Sequence, residues 1–215
     1  MLEARIRKHY PDLIKKHFQN PNDFALSLKH VLECSVYNQG CDGGYSYLVS
    51  KFYKEFEMVL SDCYSNGCKK SCKNPNLEDL NFTVSNYGYV GGSYGKCDEK
   101  QIMQEVYKYG PIVLSLEPDY SFMFYRSGVY QSPITSWITQ KTKRPEWEKV
   151  DHSMVLVGWG TENINGKKVK YWLLQNSWGS AWGESGFMKF IRGIDHLGIE
   201  SICEYGMPVP KTRKQ

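Results

Sequence analysis

The chain has 215 residues and a net charge of +4, with 23% charged, 41% hydrophobic and 14% aromatic residues. So many aromatics can build a core, which excludes disorder along the whole chain. A charge this small and this dispersed excludes a dedicated nucleic-acid binder, and no apolar run reaches the about 18 residues that read as a membrane span.

Met1-Leu2-Glu3-Ala4-Arg5-Ile6-Arg7-Lys8 reads as the interior of a helix, with good helix formers, Leu2 and Ile6 at i and i+4, and no capping residue. No apolar stretch follows its charges, so it is not a signal peptide. The expectation is that an upstream part is missing. Helical character continues through the first 60 residues, interrupted by Pro11 and Pro21, and Ser27 can cap a short helix through Leu28, Val31 and Leu32. After Gly43-Gly44, residues Tyr45, Leu48, Val49, Phe52, Tyr53 and Phe56 form an amphipathic helical stripe whose aromatics are read as core.

The pattern changes after about residue 84. Asp98 and Gln101 make a capping box for a helix through Tyr109, which Gly110-Pro111 stops. Ile112, Leu114 and Leu116 alternate as in a half-buried strand, and further strands are expected over 153–159, 170–175 and 186–191. The fold class is therefore α+β. Residues 1–84 form a helical, disulfide-rich lobe and 85–215 a β-rich lobe, packed side by side about a cleft. Residues 137–150, with Lys141, Lys143, Arg144 and Pro145, read as an exposed loop.

Of the seven cysteines, Cys34, Cys41, Cys63, Cys68 and Cys72 cluster in a stretch rich in Gly, Asn, Ser and Lys, while Cys97 and Cys203 stand apart. The cluster points to disulfide-bonded loops and an oxidising compartment. The Cys68–Cys72 spacing leaves a zinc site as the alternative. The odd count leaves at least one thiol without a partner in the chain. Asn81-Phe82-Thr83 is a glycosylation sequon.

Among the histidines, His9, His17 and His30 lie on charged helical stretches where surface placement is the default, and His196 lies in a Gly-Ile-Asp-His-Leu-Gly turn read as structural. His152 opens the strand Ser153–Trp159. Its significance comes from Gln175-Asn176-Ser177-Trp178-Gly179-Ser180-Ala181-Trp182-Gly183-Glu184-Ser185-Gly186-Phe187. An Asn oxygen can accept an imidazole N–H and fix its tautomer, and a neighbouring indole can keep water off that bond.

Asp151-His152, Gly158-Trp159-Gly160, Asn176-Ser177-Trp178-Gly179 and Trp182-Gly183-Glu184 resemble the His and Asn blocks of the papain-like cysteine peptidases. Gly40-Cys41-Asp42-Gly43-Gly44 resembles that family's Gly-Cys-x-Gly-Gly block. Met1 to Arg7, Tyr45-Ser46-Tyr47-Leu48, Tyr89-Val90-Gly91-Gly92-Ser93-Tyr94-Gly95 and Gly198-Ile199-Glu200-Ser201-Ile202 resemble its cathepsin C-like, dipeptidyl peptidase branch. The likeness extends from Met1 to about Pro210.

The resemblance implies a papain-like two-lobe fold, helical on one side and β-barrel-like on the other, with residues 1–215 as a single peptidase domain incomplete at its N-terminus. His152 takes the place of the general base, Asn176 of the residue that orients it, and Trp178 of their shield. The nucleophilic Cys and the oxyanion Gln have no counterpart, since Met1 falls about two helical turns past that Cys within the same helix. The implied disulfides are Cys34–Cys68 and Cys63–Cys72. Cys41 is left unpaired because its partner belongs to the missing block, and Cys97 and Cys203 remain free thiols or an unproven pair. Gly43 and Gly44 match the stretch that hydrogen-bonds a substrate backbone, and Ile202 the floor of the S2 pocket. Tyr45, through its N–H, and Tyr47, through its phenol, match positions that hold a chloride ion; no other cofactor and no metal is implied. Ser46 departs from the Pro of that branch.

The expected partners are a peptide or protein substrate, the missing nucleophile segment and an N-terminal exclusion domain. The expected location is a lysosome-like vacuole or the secretory route. The expected activity is cysteine-type proteolysis, with the chain as written inactive. The alternatives are a papain-fold pseudoenzyme that binds without catalysis and a zinc-binding structural domain over Cys34–Cys72.

Overall fold

A computed structural model describes residues 1–133 and 150–211, which fall into two compact units: Met1–Gly88 together with the chain from Tyr205 on, and Tyr89–Glu204. The loop expected over 137–150 lies outside the described residues except for Val150. No described helix is long and apolar enough to cross a membrane.

The first unit contains α1 (Leu2–His9), α2 (Pro11–His17), α3 (Leu28–Cys34) and α4 (Ser46–Glu55), the two-residue strands β1 (Tyr64–Ser65) and β2 (Lys69–Lys70), and β3 (Phe82–Tyr89). Pro11 sits in the first turn of α2, where its missing N–H costs no hydrogen bond. Ser27 caps α3, its Oγ accepting the His30 N–H at 3.1 Å. Leu2 and Ile6 of α1, Ile14 of α2 and Phe52 and Tyr53 of α4 meet Phe24, Met58, Leu60 and Phe82 in one buried cluster. Phe24 and Phe82 meet edge to face at 5.9 Å.

Two disulfides staple the surface of this unit, Cys34–Cys68 and Cys63–Cys72. The first spans 34 residues, a loop whose closure removes about 4 kcal/mol of unfolded-chain entropy in the chain-entropy picture. Both bridges use the thiols on which the zinc alternative relied, so Cys68 and Cys72 offer no thiolate. His30 departs from its expected place on the surface. It is 5% exposed, with the rings of Phe52, Tyr53 and Tyr64 at 5.4, 5.8 and 5.9 Å. Three residues past the cap, it faces the core side of α3.

The second unit contains α5 (Glu99–Tyr109), β4 (Ile112–Leu116), β5 (Val129–Tyr130), β6 (His152–Ile164), β7 (Lys167–Gln175) and β8 (Phe187–Ile191); β9 (Ile202–Pro210) begins in it and ends in the first unit. The strand order is β9–β4–β6–β7–β8–β5, antiparallel except for β5 beside β8. Beyond β9 the sheet ends at β3, and at the other side it ends at β5. Among the described residues the sheet does not close into a barrel.

The helix α5 begins as its sequence indicates, with Asp98 Oδ1 accepting the Gln101 N–H at 2.8 Å. It ends at Gly110, whose φ of 101° favours glycine. The reciprocal half of the capping box does not form: Gln101 Oε1 is buried without a hydrogen-bond partner among the described residues. β4 also differs from expectation. All five of its residues are buried, Ser115 included, because β6 and β9 flank it on both edges and both its faces are covered. β3 and β9 were not predicted; the polar run Ser85–Asn86 and the prolines Pro208 and Pro210 hide their strand character in the sequence.

Asn81 is 6% exposed, accepts from Lys70 Nζ through Oδ1, and donates through Nδ2 to Glu78 O at 3.4 Å. Thr83 of the same sequon donates to Tyr53 O at 2.6 Å. Protein from its natural source is accordingly expected to carry no glycan at Asn81, and a mass loss on that peptide after peptide-N-glycosidase treatment would contradict this. Asp98→Ala is expected to cost about 1 kcal/mol by loss of the α5 cap, read from urea denaturation.

Candidate active site

His152 is the first residue of β6 and lies opposite Leu116 of β4, while Asn176 directly follows the last residue of β7. Val155 pairs with Gln175, so the two strands bring the ends that carry His152 and Asn176 together. His152 Nε2 donates to Asn176 Oδ1 at 2.9 Å when the ring is in the Nε2–H tautomer. That tautomer leaves Nδ1 as the acceptor, and Nδ1 makes no hydrogen bond to a described residue.

Asn176 is itself fixed. Its N–H donates to Gly186 O at 2.9 Å, and its Oδ1 also accepts the Ser177 N–H at 2.8 Å. It is 9% exposed. Its Nδ2 is buried with no partner among the described residues, a cost of roughly 1–3 kcal/mol that the rest of the site must offset. The loop 176–187 folds back through glycines in positive φ; at Gly183 (φ 58°) a Cβ would come within 2.5 Å of Phe187 O.

Aromatic rings enclose the pair. Trp178 lies 4.9 Å from the His152 ring, tilted by 34°. Phe122, fully buried, meets His152 edge to face at 5.9 Å and Trp178 at 5.6 Å. Trp182 lies 5.5 Å from Phe122 and 5.3 Å from Trp178, and its Nε1 donates to Met123 O at 3.2 Å. Nothing in the sequence signalled Phe122; only the folding of its turn brings it to the histidine. Burial lowers the His152 pKa and the Asn176 hydrogen bond opposes that shift. The arrangement favours the neutral imidazole, and with the Nε2–H tautomer one ring nitrogen is tied to Asn176 and the other is able to take a proton.

A family model described as "Papain family cysteine protease" matches residues 11–207. The chain belongs to the papain family of cysteine peptidases. Dipeptidyl aminopeptidase 1 of Plasmodium falciparum (isolate 3D7) is 34% identical over 266 residues, covering 93% of this chain and 38% of the relative. Cathepsin C of Schistosoma mansoni is 32% identical over 205 residues, covering 94% and 42%. The chain thus spans about two fifths of the length of these curated relatives. Among solved structures, a digestive procathepsin L 3 of Tenebrio molitor larval midgut matches with a TM-score of 0.63 and 26% identity over 85% of this chain and 55% of that one. The bromelain protease from Ananas comosus in complex with the E64 inhibitor matches with 0.62 and 26% over 85% and 77%.

The other residues singled out in this papain-family chain lie in both units. Ile202, 3% exposed, is in the second unit at the start of β9, paired with Ser115. Gly43, Gly44, Tyr45 and Tyr47 are in the first unit. Gly43 has a φ of 115°, which favours glycine, and a Cβ on Gly44 would come within 2.2 Å of Asn38 Oδ1 and displace that side chain. The Tyr45 N–H donates to Asn38 Oδ1 at 2.9 Å, and the Tyr47 ring packs edge-on to Tyr87 at 4.8 Å. With the Tyr45 N–H committed to Asn38, the residues as they stand do not fit a chloride ion.

The seven cysteines have distinct places. Four are in the two disulfides, and Cys41 is a free, exposed thiol. Cys97 donates to Glu200 O at 2.7 Å, and Cys203, fully buried, donates to Ile199 O at 3.8 Å. His196, 1% exposed, accepts the Ser132 N–H on Nε2 at 2.8 Å.

Burial lowers the pKa of His30, His152 and His196 below 6.5; the Asn176 hydrogen bond opposes this at His152 and the Asp119 charge opposes it at His196. Each therefore binds a proton more tightly when unfolded. Their contribution to stability is full above pH 6.5 and is lost as the pH falls from 6.5 through the lowered folded values. The melting temperature is expected to fall as the pH drops below about 6.5, against an opposite contribution from Glu200, whose pKa burial raises. A flat profile below that pH in thermal denaturation would contradict it.

Proposed function

We propose that this chain supplies the base and orienting residue of a cysteine peptidase that cleaves peptide bonds through a thioester, with cathepsin C-like relatives as the guide to substrate class. The observation that supports this reading is the His152–Asn176 hydrogen bond at 2.9 Å beneath Trp178. In the proposed cycle, His152 Nδ1 takes the proton of a cysteine thiol, and Asn176 Oδ1 steadies the imidazolium that results. The thiolate sulfur attacks the peptide carbonyl, and His152 returns the proton to the leaving amine as the C–N bond breaks. Water then attacks the thioester, giving up a proton to His152, and the restored thiol leaves the new carboxylate.

The nucleophile of this reading comes from outside these 215 residues. The free thiols Cys97 and Cys203 donate to the carbonyls of Glu200 and Ile199, and Cys41 lies in the exposed turn Gly40–Asp42 of the first unit. Trp178 acts as the shield, and Gly43, Gly44 and Ile202 as the substrate-binding positions. A chloride ion on Tyr45 and Tyr47 would additionally need the Asn38 carboxamide to release the Tyr45 N–H. The two disulfides support a lysosome-like or secretory location.

The test is intact mass, N-terminal sequence and peptidase assay of the natural protein purified from its source. A thiol-dependent peptidase carrying a nucleophile segment supports the reading. A natural chain of these residues alone, with no partner supplying a nucleophile, turns it into the pseudoenzyme alternative. In the active form, His152→Ala is expected to lower kcat by about 10²–10⁴-fold, with KM for a dipeptide substrate changed far less. Recombinant residues 1–215 alone are expected to give no turnover that a thiol alkylator blocks.

A further inference from the structure

Phe122 is the ring on which the site's aromatic wall depends, since His152, Trp178 and Trp182 all pack against it. It lies in the single turn Tyr120–Phe124, a 3-10 helix whose Met123 O also accepts the Trp182 indole N–H. Tyr120, Met123 and Phe124 are exposed, and Phe122 is the fully buried side chain of the turn. The strand that follows, β5, has two residues and lies at the sheet edge. A turn this short is not self-supporting.

Its N-terminal end is held by Asp119. Oδ1 accepts the Ser121 N–H at 2.8 Å, the Phe122 N–H at 3.2 Å, the Ser121 hydroxyl at 2.7 Å and the Tyr130 hydroxyl at 3.0 Å. Oδ2 accepts the Ser132 hydroxyl. The same carboxylate therefore caps the turn and ties it to β5 and to Ser132, whose N–H is in turn held by His196. An ordinary cap satisfies one or two N–H groups; this one joins three segments. Burial disfavours the charged carboxylate, but the hydrogen bonds from Ser132, Ser121, Tyr130 and Phe122 outweigh it and hold the pKa below its ordinary value.

We propose that Asp119 is a positioning residue for the His152–Asn176 pair: by capping the Tyr120–Phe124 turn and tying it to Tyr130 and Ser132, it holds the Phe122 ring against His152 and Trp178. The proposal rests on reading His152 as the proton acceptor of the site. Without the cap, the ring loosens and water reaches the imidazole. The effect has a distinguishing sign. Loss of a negative charge by itself lowers a histidine pKa, whereas loss of the dry wall raises it toward 6.5.

The experiment follows the histidine ring signals of the 215-residue chain by NMR from about pH 8 to pH 4.5 in wild type, Asp119→Ala and Asp119→Asn. In Asp119→Ala the His152 midpoint is expected to rise toward 6.5, while His30, in the first unit, keeps its own. Asp119→Asn retains an oxygen acceptor for the Ser121 and Phe122 N–H groups and is expected to restore the wild-type midpoint. A folded Asp119→Ala chain with an unmoved or lowered His152 midpoint overturns the proposal, as does an Asn variant that behaves like the Ala variant. Should Asp119→Ala not fold, Asp119→Ser is measured instead; it can cap the turn but cannot reach both Tyr130 and Ser132. An intermediate rise supports the proposal and an unmoved midpoint overturns it. No turnover is needed, so the peptidase reading and this one can fail independently.

Discussion

The pairing register of β6 and β7 is the constraint on which the site depends. His152 begins one strand and Asn176 follows the end of the other, and Val155 opposite Gln175 fixes how far apart they stand. Side chains alternate between faces along a strand, so a slip of one residue would turn His152 to the other face and break the bond to Asn176. The register is pinned on both sides of β6. Leu116 of β4 faces His152 and Ser115 faces Ser153, their hydroxyls 3.0 Å apart. Leu156, Trp172 and Leu174 are fully buried, so a slip would also expose core residues. Precision in the site is thus a by-product of packing in the sheet.

Around that bond the fold spends aromatic area on keeping water out. Phe122 is a shared wall, and Trp178, 40% exposed, is the outer cover. A hydrogen bond in such surroundings is stronger than in water, and an unpaired polar group there is correspondingly costly. The lowered pKa of His152 follows from the same burial that leaves Asn176 Nδ2 without a partner among the described residues. Glu184 completes the loop beneath, its Oε1 accepting the Tyr125 hydroxyl at 3.0 Å and the Gly128 N–H at 2.9 Å. Glu200 does similar work further along: it takes the Trp172 indole N–H at 2.8 Å and the backbone N–H groups of Gly193 and Asp195. Burial raises its pKa, and those donors oppose the rise.

The first unit solves a different problem. Its helices are short, of seven to ten residues, and isolated helices of that length are marginal in water. Its stability comes from the cluster about Phe24, Phe52 and Phe82 and from two disulfides that tie the chain between α4 and β3 to itself and to the end of α3. The buried Asn81 shows that a surface motif in sequence need not be a surface in the fold.

Much of this was legible in the sequence. The caps Ser27 and Asp98, the stop at Gly110 and the strands over 153–159, 170–175 and 186–191 follow from local side-chain chemistry and periodicity, which act over a few residues. The His and Asn blocks and the Gly-Cys-x-Gly-Gly segment pointed to the papain family, which the matched family model shows. What sequence could not decide depends on contacts between distant segments. His30 reads as a surface residue until the rings of Phe52, Tyr53 and Tyr64 close over it. β4 reads as half-buried until a second strand flanks it. Phe122 and Asp119 carry no motif at all. Local chemistry determined which residues could do the work; only tertiary packing, by setting strand register and excluding water, decided which of them meet.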